Sequence, residues 1–174
     1  MLTISLQAEE RVVAELACLG VSYLSRLSDT QLAPALPPQA LLVELLRQPS
    51  SRVRVALVAL LLAHPEYAEF VPAALTRLTG PEAQTLKFFT CAAVYLQEQY
   101  AEPLHFFLGT RWRQLPDLFS SELGLSAGMP EARLRSLAKL HVRQSGQRLN
   151  WAGTYDNAAR NLLRRWKMEQ TWKQ

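Results

Sequence analysis

Residues 41–61 read LLVELLRQPSSRVRVALVALL, and how this stretch is interpreted decides the fold. Apolar residues crowd both halves, and Gln48-Pro49-Ser50 punctuates the middle. The second half continues as the apolar run Val55–Ala63, nine residues long, against the roughly 20 needed to cross a bilayer. No stretch of the chain alternates apolar and polar residues between turn dipeptides, and Asn-Gly and Asp-Gly do not occur, so strands are not expected. The stretch therefore reads as two helices, 39–48 and 51–64, joined by a short turn.

Working outward, proline followed by an acid recurs at Pro65-Glu66, Pro81-Glu82, Pro116-Asp117 and Pro130-Glu131. Each reads as a helix start: proline at the first helical position gives up an N–H that would be unpaired anyway, and the acid faces the positive end of the helix dipole. Further helices are expected near 6–26, 66–78, 82–101, 131–144 and 155–172, with a short one near 116–123 and a kink or restart at Pro72. Breaker-rich loops are expected at 27–38 and 120–129. The fold class is all-α, a multi-helix bundle or a short right-handed stack of helical hairpins. Residues 1–129 would form the body and 130–174 a basic helical pair packed on it.

The chain has 174 residues, 49% apolar and 20% charged, with seven glycines, an ordinary globular balance that excludes disordered and collagen-like classes. The N-terminal MLTISLQAEERVV has neither a basic start nor an apolar stretch of signal-peptide length, and the cytoplasm is the expected compartment. Cys18 and Cys91 stand in apolar helical sequence and are expected to be reduced and packed.

Shifting the sequence by 31 residues brings Val55, Leu57, Val58, Leu60, Leu61, Leu62 and Ala63 onto Leu86, Phe88, Phe89, Cys91, Ala92, Ala93 and Val94. Each unit would be a short helix followed by a longer, more apolar one, the hairpins being 39–64 and 66–101. Leu41–Leu61, with its leucine-rich first helix, short turn and Val-Arg opening the second helix, resembles a HEAT-type repeat. The resemblance implies stacked hairpins sharing one core, with a period shorter than the usual roughly 40 to 47 residues.

Charge is distributed unevenly. Residues 1–129 hold 9 Lys+Arg against 12 Asp+Glu, whereas 130–174 hold 10 against 3. Such segregation creates a positive field that attracts polyanions or an acidic protein face. On the helix from 131, Leu134, Leu137, Ala138 and His141 form the buried stripe and Arg135, Lys139 and Arg143 line another face. On the last helix Tyr155, Ala158, Ala159, Leu162, Leu163 and Trp166 form the stripe, Arg160, Arg164 and Lys167 lie elsewhere, and Thr154 is the expected N-cap. The linker adds Arg148 and Trp151, and Trp151 and Trp172 are expected to be free to stack. The expected binding residues are Arg135, Lys139, Arg143, Arg148, Trp151, Arg160, Arg164, Lys167 and Trp172.

The string RLNWAGTYDNAARNLLRRW, through Asn150-Trp151-Ala152 and Arg164-Arg165-Trp166, is similar to the end of the small helical subunit of some CRISPR effector complexes. That resemblance implies basic helices that hold nucleic-acid backbone. Arg135 and His141 match the Arg-x(4–6)-His spacing of HEPN-type helical ribonucleases, which implies a pair working on RNA phosphate. Arg111-Trp112-Arg113 is a possible flat cationic contact or a tryptophan capping the core. His64, His105 and His141 have no partners at metal-ligand spacing, and Walker, dinucleotide and nucleophile-elbow motifs are missing, so no cofactor and no metal are expected. His64 closes its helix, where the dipole favours an imidazolium. The leading expectation is a non-enzymatic interaction protein (adaptor, antitoxin-like inhibitor or assembly subunit) with an acidic protein partner. The second is binding of RNA or DNA backbone, and the third a ribonuclease using Arg135 and His141.

Overall fold

The computed structural model describes residues 2–25 and 34–172, the side chains of 2–6 excepted. Among these residues there are eight α-helices and no strand: α1 Leu2–Cys18, α2 Pro38–Leu46, α3 Ser51–Ala63, α4 Val71–Leu75, α5 Gly80–Gln99, α6 Ala101–Leu108, α7 Pro130–Ser145 and α8 Trp151–Trp172. Two 3-10 turns, Pro65–Phe70 and Gly109–Arg111, precede α4 and follow α6.

The core is built on α3 and α5. Every residue of α3 from Val55 to Ala63 is buried, so this helix has neighbours around its whole circumference. An all-round apolar helix has no solvent face to present, which is why the run of nine belongs in the middle of the molecule. The helices α2 and α4 and the first 3-10 turn pack together against α3 and α5, and α7 and α8 pack side by side against the same two helices. Among the described residues, no single helix is long and apolar enough to cross a membrane.

Proline punctuation locates three of the four expected starts. Pro81 lies in the first turn of α5, where the Glu82 carboxylate accepts the Thr79 N–H at 2.8 Å. Pro130 opens α7 and Pro65 opens a 3-10 turn. Pro72 lies in the first turn of the short α4, so the expected helix 66–78 is a 3-10 turn and a restart. The exception is Pro116-Asp117: residues 116–123 form no helix. There the Asp117 carboxylate accepts the Arg133 guanidinium at 2.8 Å and the Ser120 N–H at 3.1 Å. Gln97 also reaches the Arg113 carbonyl and the Leu115 N–H, so the segment is pinned onto α5 by side chains and not coiled on itself.

Other boundaries differ from expectation. α1 ends at Cys18, ahead of Gly20, whose φ of +78° is a left-handed conformation and whose carbonyl accepts the Trp166 indole N–H at 3.1 Å. Residue 26, at the end of the expected first helix, and residues 27–33 of the expected loop lie outside the described residues. The helix α6 was not anticipated; it restarts directly after Tyr100 and buries Leu104 and Leu108. α8 begins at Trp151 instead of 155, because Asn150 and not Thr154 caps it: Asn150 Oδ1 accepts the Gly153 N–H at 3.1 Å, and the Thr154 hydroxyl donates back to the Asn150 carbonyl.

Candidate functional site

The helices α7 and α8 each bury one stripe and expose the opposite one. Leu134, Leu137, Ala138 and His141 of α7 are buried, and so are Trp151, Tyr155, Ala158, Ala159, Leu162 and Leu163 of α8. Arg135, Lys139 and Arg143, at intervals of four, are exposed on α7, and Arg160, Arg164 and Lys167 are exposed on α8. Arg148 is exposed in the connection, which starts with Gly146 in the left-handed conformation that closes α7.

Ion pairing separates these cations. Within the body, Arg11 pairs with Glu44, Arg47 with Glu82, Lys87 with Glu122 and Arg113 with Glu69. Arg133 of α7 is drawn inward: its guanidinium lies 3.3 Å from Glu98, 2.8 Å from Asp117 and 4.0 Å over the Tyr95 ring. Arg165 is held by Glu169 at 2.9 Å and by the Ser22 hydroxyl at 3.1 Å. Arg160 is likewise neutralised, 2.7 Å from Asp156, and the Tyr100 hydroxyl joins the pair by donating to Asp156. Arg135, Lys139, Arg143, Arg148, Arg164 and Lys167 have no acid within 4.0 Å among the described residues.

Trp151 is a correction. It is 2% exposed, stacked on His141 with centroids 3.7 Å apart. The early start of α8 puts it one turn before Tyr155 on the same stripe, and the stripe faces the core. Trp172 is 68% exposed at the end of α8, with the Arg165 guanidinium 6.0 Å from its ring. Trp112 stacks on His105 at 3.6 Å and packs against the core, so Arg111-Trp112-Arg113 forms no flat aromatic contact. His64 caps α3, with Nδ1 2.9 Å from Glu66 Oε1 and Nε2 2.7 Å from the Leu19 carbonyl.

Arg135 and His141 are not brought together. Six positions apart on one helix places them roughly 120° apart around its axis, and the structure exposes Arg135 while leaving His141 3% exposed. His141 Nδ1 is engaged by the Tyr155 hydroxyl, and its ring lies between Phe88 and Trp151. Burial, with the Arg54 charge assisting, pushes its pKa down to about 4. Among the described residues, no group of three His, Cys, Asp or Glu side chains could hold a metal ion.

A cleft of about 450 Å³ between the end of α2, α3, α5, α7 and the start of α8 was not legible in the sequence; Arg54, Glu82, Thr85, Phe88, His141 and Trp151 are among its walls. Its one signal in the sequence is Arg54, a cation in the first turn of an otherwise largely apolar helix. Comparison of the chain with protein-family models, curated proteins and solved structures finds no match.

Proposed function

We propose that the chain is a non-enzymatic helical interaction protein whose α7–α8 outer surface docks on an acidic protein face. The observation that supports this reading is the set of six exposed cations without an acid partner: Arg135, Lys139, Arg143, Arg148, Arg164 and Lys167. In the body Arg11, Arg47, Lys87 and Arg113 are paired, whereas the exposed Arg52, Arg77 and Arg111 have no acid within 4.0 Å among the described residues; acids still outnumber cations 12 to 9 over residues 1–129, so the net positive charge belongs to residues 130–174. Arg160 and Trp151 leave the set, the first paired and the second buried. Single-stranded nucleic acid is held by stacking on exposed rings as well as by charge. Trp151 and Tyr155 are in the core and Trp166 is half-buried, which leaves Trp172 at the helix end. A charge-only surface suits carboxylates on a folded partner better than unstacked bases.

The test is a titration with a polyglutamate peptide, a random-sequence single-stranded RNA and a duplex DNA at several salt concentrations. The peptide is expected to bind in a salt-sensitive manner and to lose about tenfold or more in affinity when Arg135, Lys139 and Arg143 are all changed to Glu. Tighter binding of either oligonucleotide, with log affinity falling linearly in log salt, overturns the reading in favour of phosphate backbone.

A further inference from the structure

The cleft beside His141 is separate from the outer cationic face, and the charged and the buried donor on its walls, Arg54 and His141, are left with uncommitted N–H groups. Its volume, about 450 Å³, lies in the range of small-ligand pockets. The first turns of α3, α5 and α8 contribute Arg54, Pro81, Glu82 and Trp151 to its walls, so three positive dipole ends meet there the C-terminal ends of α2, through Leu46, and of α7.

The donors can be followed one by one. The Tyr155 hydroxyl is fully buried, and its partner is His141 Nδ1. A buried hydroxyl keeps its proton and must place it on an acceptor, so Tyr155 donates and Nδ1 accepts. The imidazole proton is therefore on Nε2, which has no partner among the described residues, and His141 borders the cleft. Trp151 also borders the cleft, but its Nε1–H is sealed from solvent without a partner, so it stands close behind the wall as a reporter and not as a donor to the cleft. Arg54 spends Nη1 on the Gln48 and Pro49 carbonyls at 2.7 and 2.8 Å, and the rest of its guanidinium is uncommitted. Glu82 is the carboxylate in the lining, and its charge is already engaged by the Thr79 N–H at 2.8 Å and by Arg47 at 3.7 Å.

We infer that this cleft binds a small organic oxyanion, a carboxylate or phosphate monoester, whose oxygens accept from Arg54 and His141 Nε2–H while its body lies along Phe88, with the Trp151 indole directly behind the wall. The neutral amides of Gln84, Gln144 and Gln147 around the rim can turn either a donor or an acceptor to a ligand without adding charge.

The experiment follows the Trp151 indole N–H in proton–nitrogen correlation spectra, assigned by its loss in Trp151→Phe, during titration with benzoate, phenyl phosphate and inorganic phosphate. A saturable shift with benzoate or phenyl phosphate is expected, and the comparison of the two separates carboxylate from phosphate. Inorganic phosphate is expected to bind more weakly because it lacks the organic body. Gln144→Glu, an exposed position on α7, puts a negative charge on the rim and is expected to weaken binding about tenfold or more, as is Arg54→Gln. An unmoved or linearly drifting resonance, or undiminished affinity in Gln144→Glu, overturns the assignment. Arg164→Glu with Lys167→Glu, on α8 about 20 Å or more from Trp151, is expected to bind these probes unchanged while weakening the polyglutamate peptide, so the two readings stand or fall separately.

Discussion

His141 sits in a column of rings, 4.4 Å from Phe88 and 3.7 Å from Trp151 between centroids. Its proton affinity is reduced because the charged form would be desolvated and would face Arg54. The group is ordinarily half-protonated near pH 6.5 and here only near 4. Between those values the unfolded chain binds the extra proton, so the contribution of His141 to stability is full above pH 6.5 and lost as pH falls toward 4. Urea unfolding from pH 7 to 4.5 is expected to show a loss of up to about 3 kcal/mol from this residue, and His141→Gln should flatten that part of the profile. Arg133, with its side chain 13% exposed, joins Glu98 and Asp117 and covers the Tyr95 ring. Arg133→Met is expected to cost about 1–3 kcal/mol, read as a lowered urea midpoint at pH 7. Burial raises the Cys91 thiol to about 11, so maleimide is expected to label Cys91 only once the protein is unfolded. The apolar stripe of α7 made the burial of His141 legible, because period and residue type agree there; the column of rings was not, because Phe88 and Trp151 are distant from it in sequence.

At the scale of elements, helix ends with local causes could be read and those with remote causes could not. Pro81 and Glu82 open α5 through groups three residues apart, and Pro130 opens α7 as its first residue with Glu131 in the first turn and no side-chain cap. Pro116-Asp117 carries the same signature, but Asp117 is bound by Arg133 from α7, an interaction no local pattern contains. Asn150 and Thr154 are both good cap residues by type, and packing of Trp151 under α7 selects Asn150. Asn150→Ala is expected to lower stability by about 1 kcal/mol, whereas Thr154→Ala should cost less, a difference that thermal unfolding of the two variants will resolve. The helix α6 had a readable signal in Pro103 near its start and in Leu104 and Leu108 four positions apart, both of which are buried.

At the scale of the whole molecule, the charge asymmetry along the sequence leaves six cations of α7, α8 and their connection without an acid, beside Arg52, Arg77 and Arg111 of a body in which acids are in excess. The unpaired cations on α7 and α8 are exposed and make no contact the fold requires, so Arg135→Ser, Lys139→Ser and Arg143→Ser together are expected to leave the urea midpoint within about 0.5 kcal/mol per site of the parent. A larger loss would mean that these residues serve folding rather than docking. The all-helical class, the central place of the 55–63 run and the two-faced character of α7 and α8 follow from the sequence alone, because each depends on spacing within one helix and on burial of apolar surface. Which cations stay free, that Trp151 is buried, and that Arg54 meets His141 across a cleft were decided only by tertiary structure. Pairing and cavity walls are made by side chains from different helices, whose relative placement depends on how the helices pack and is not encoded in any one segment.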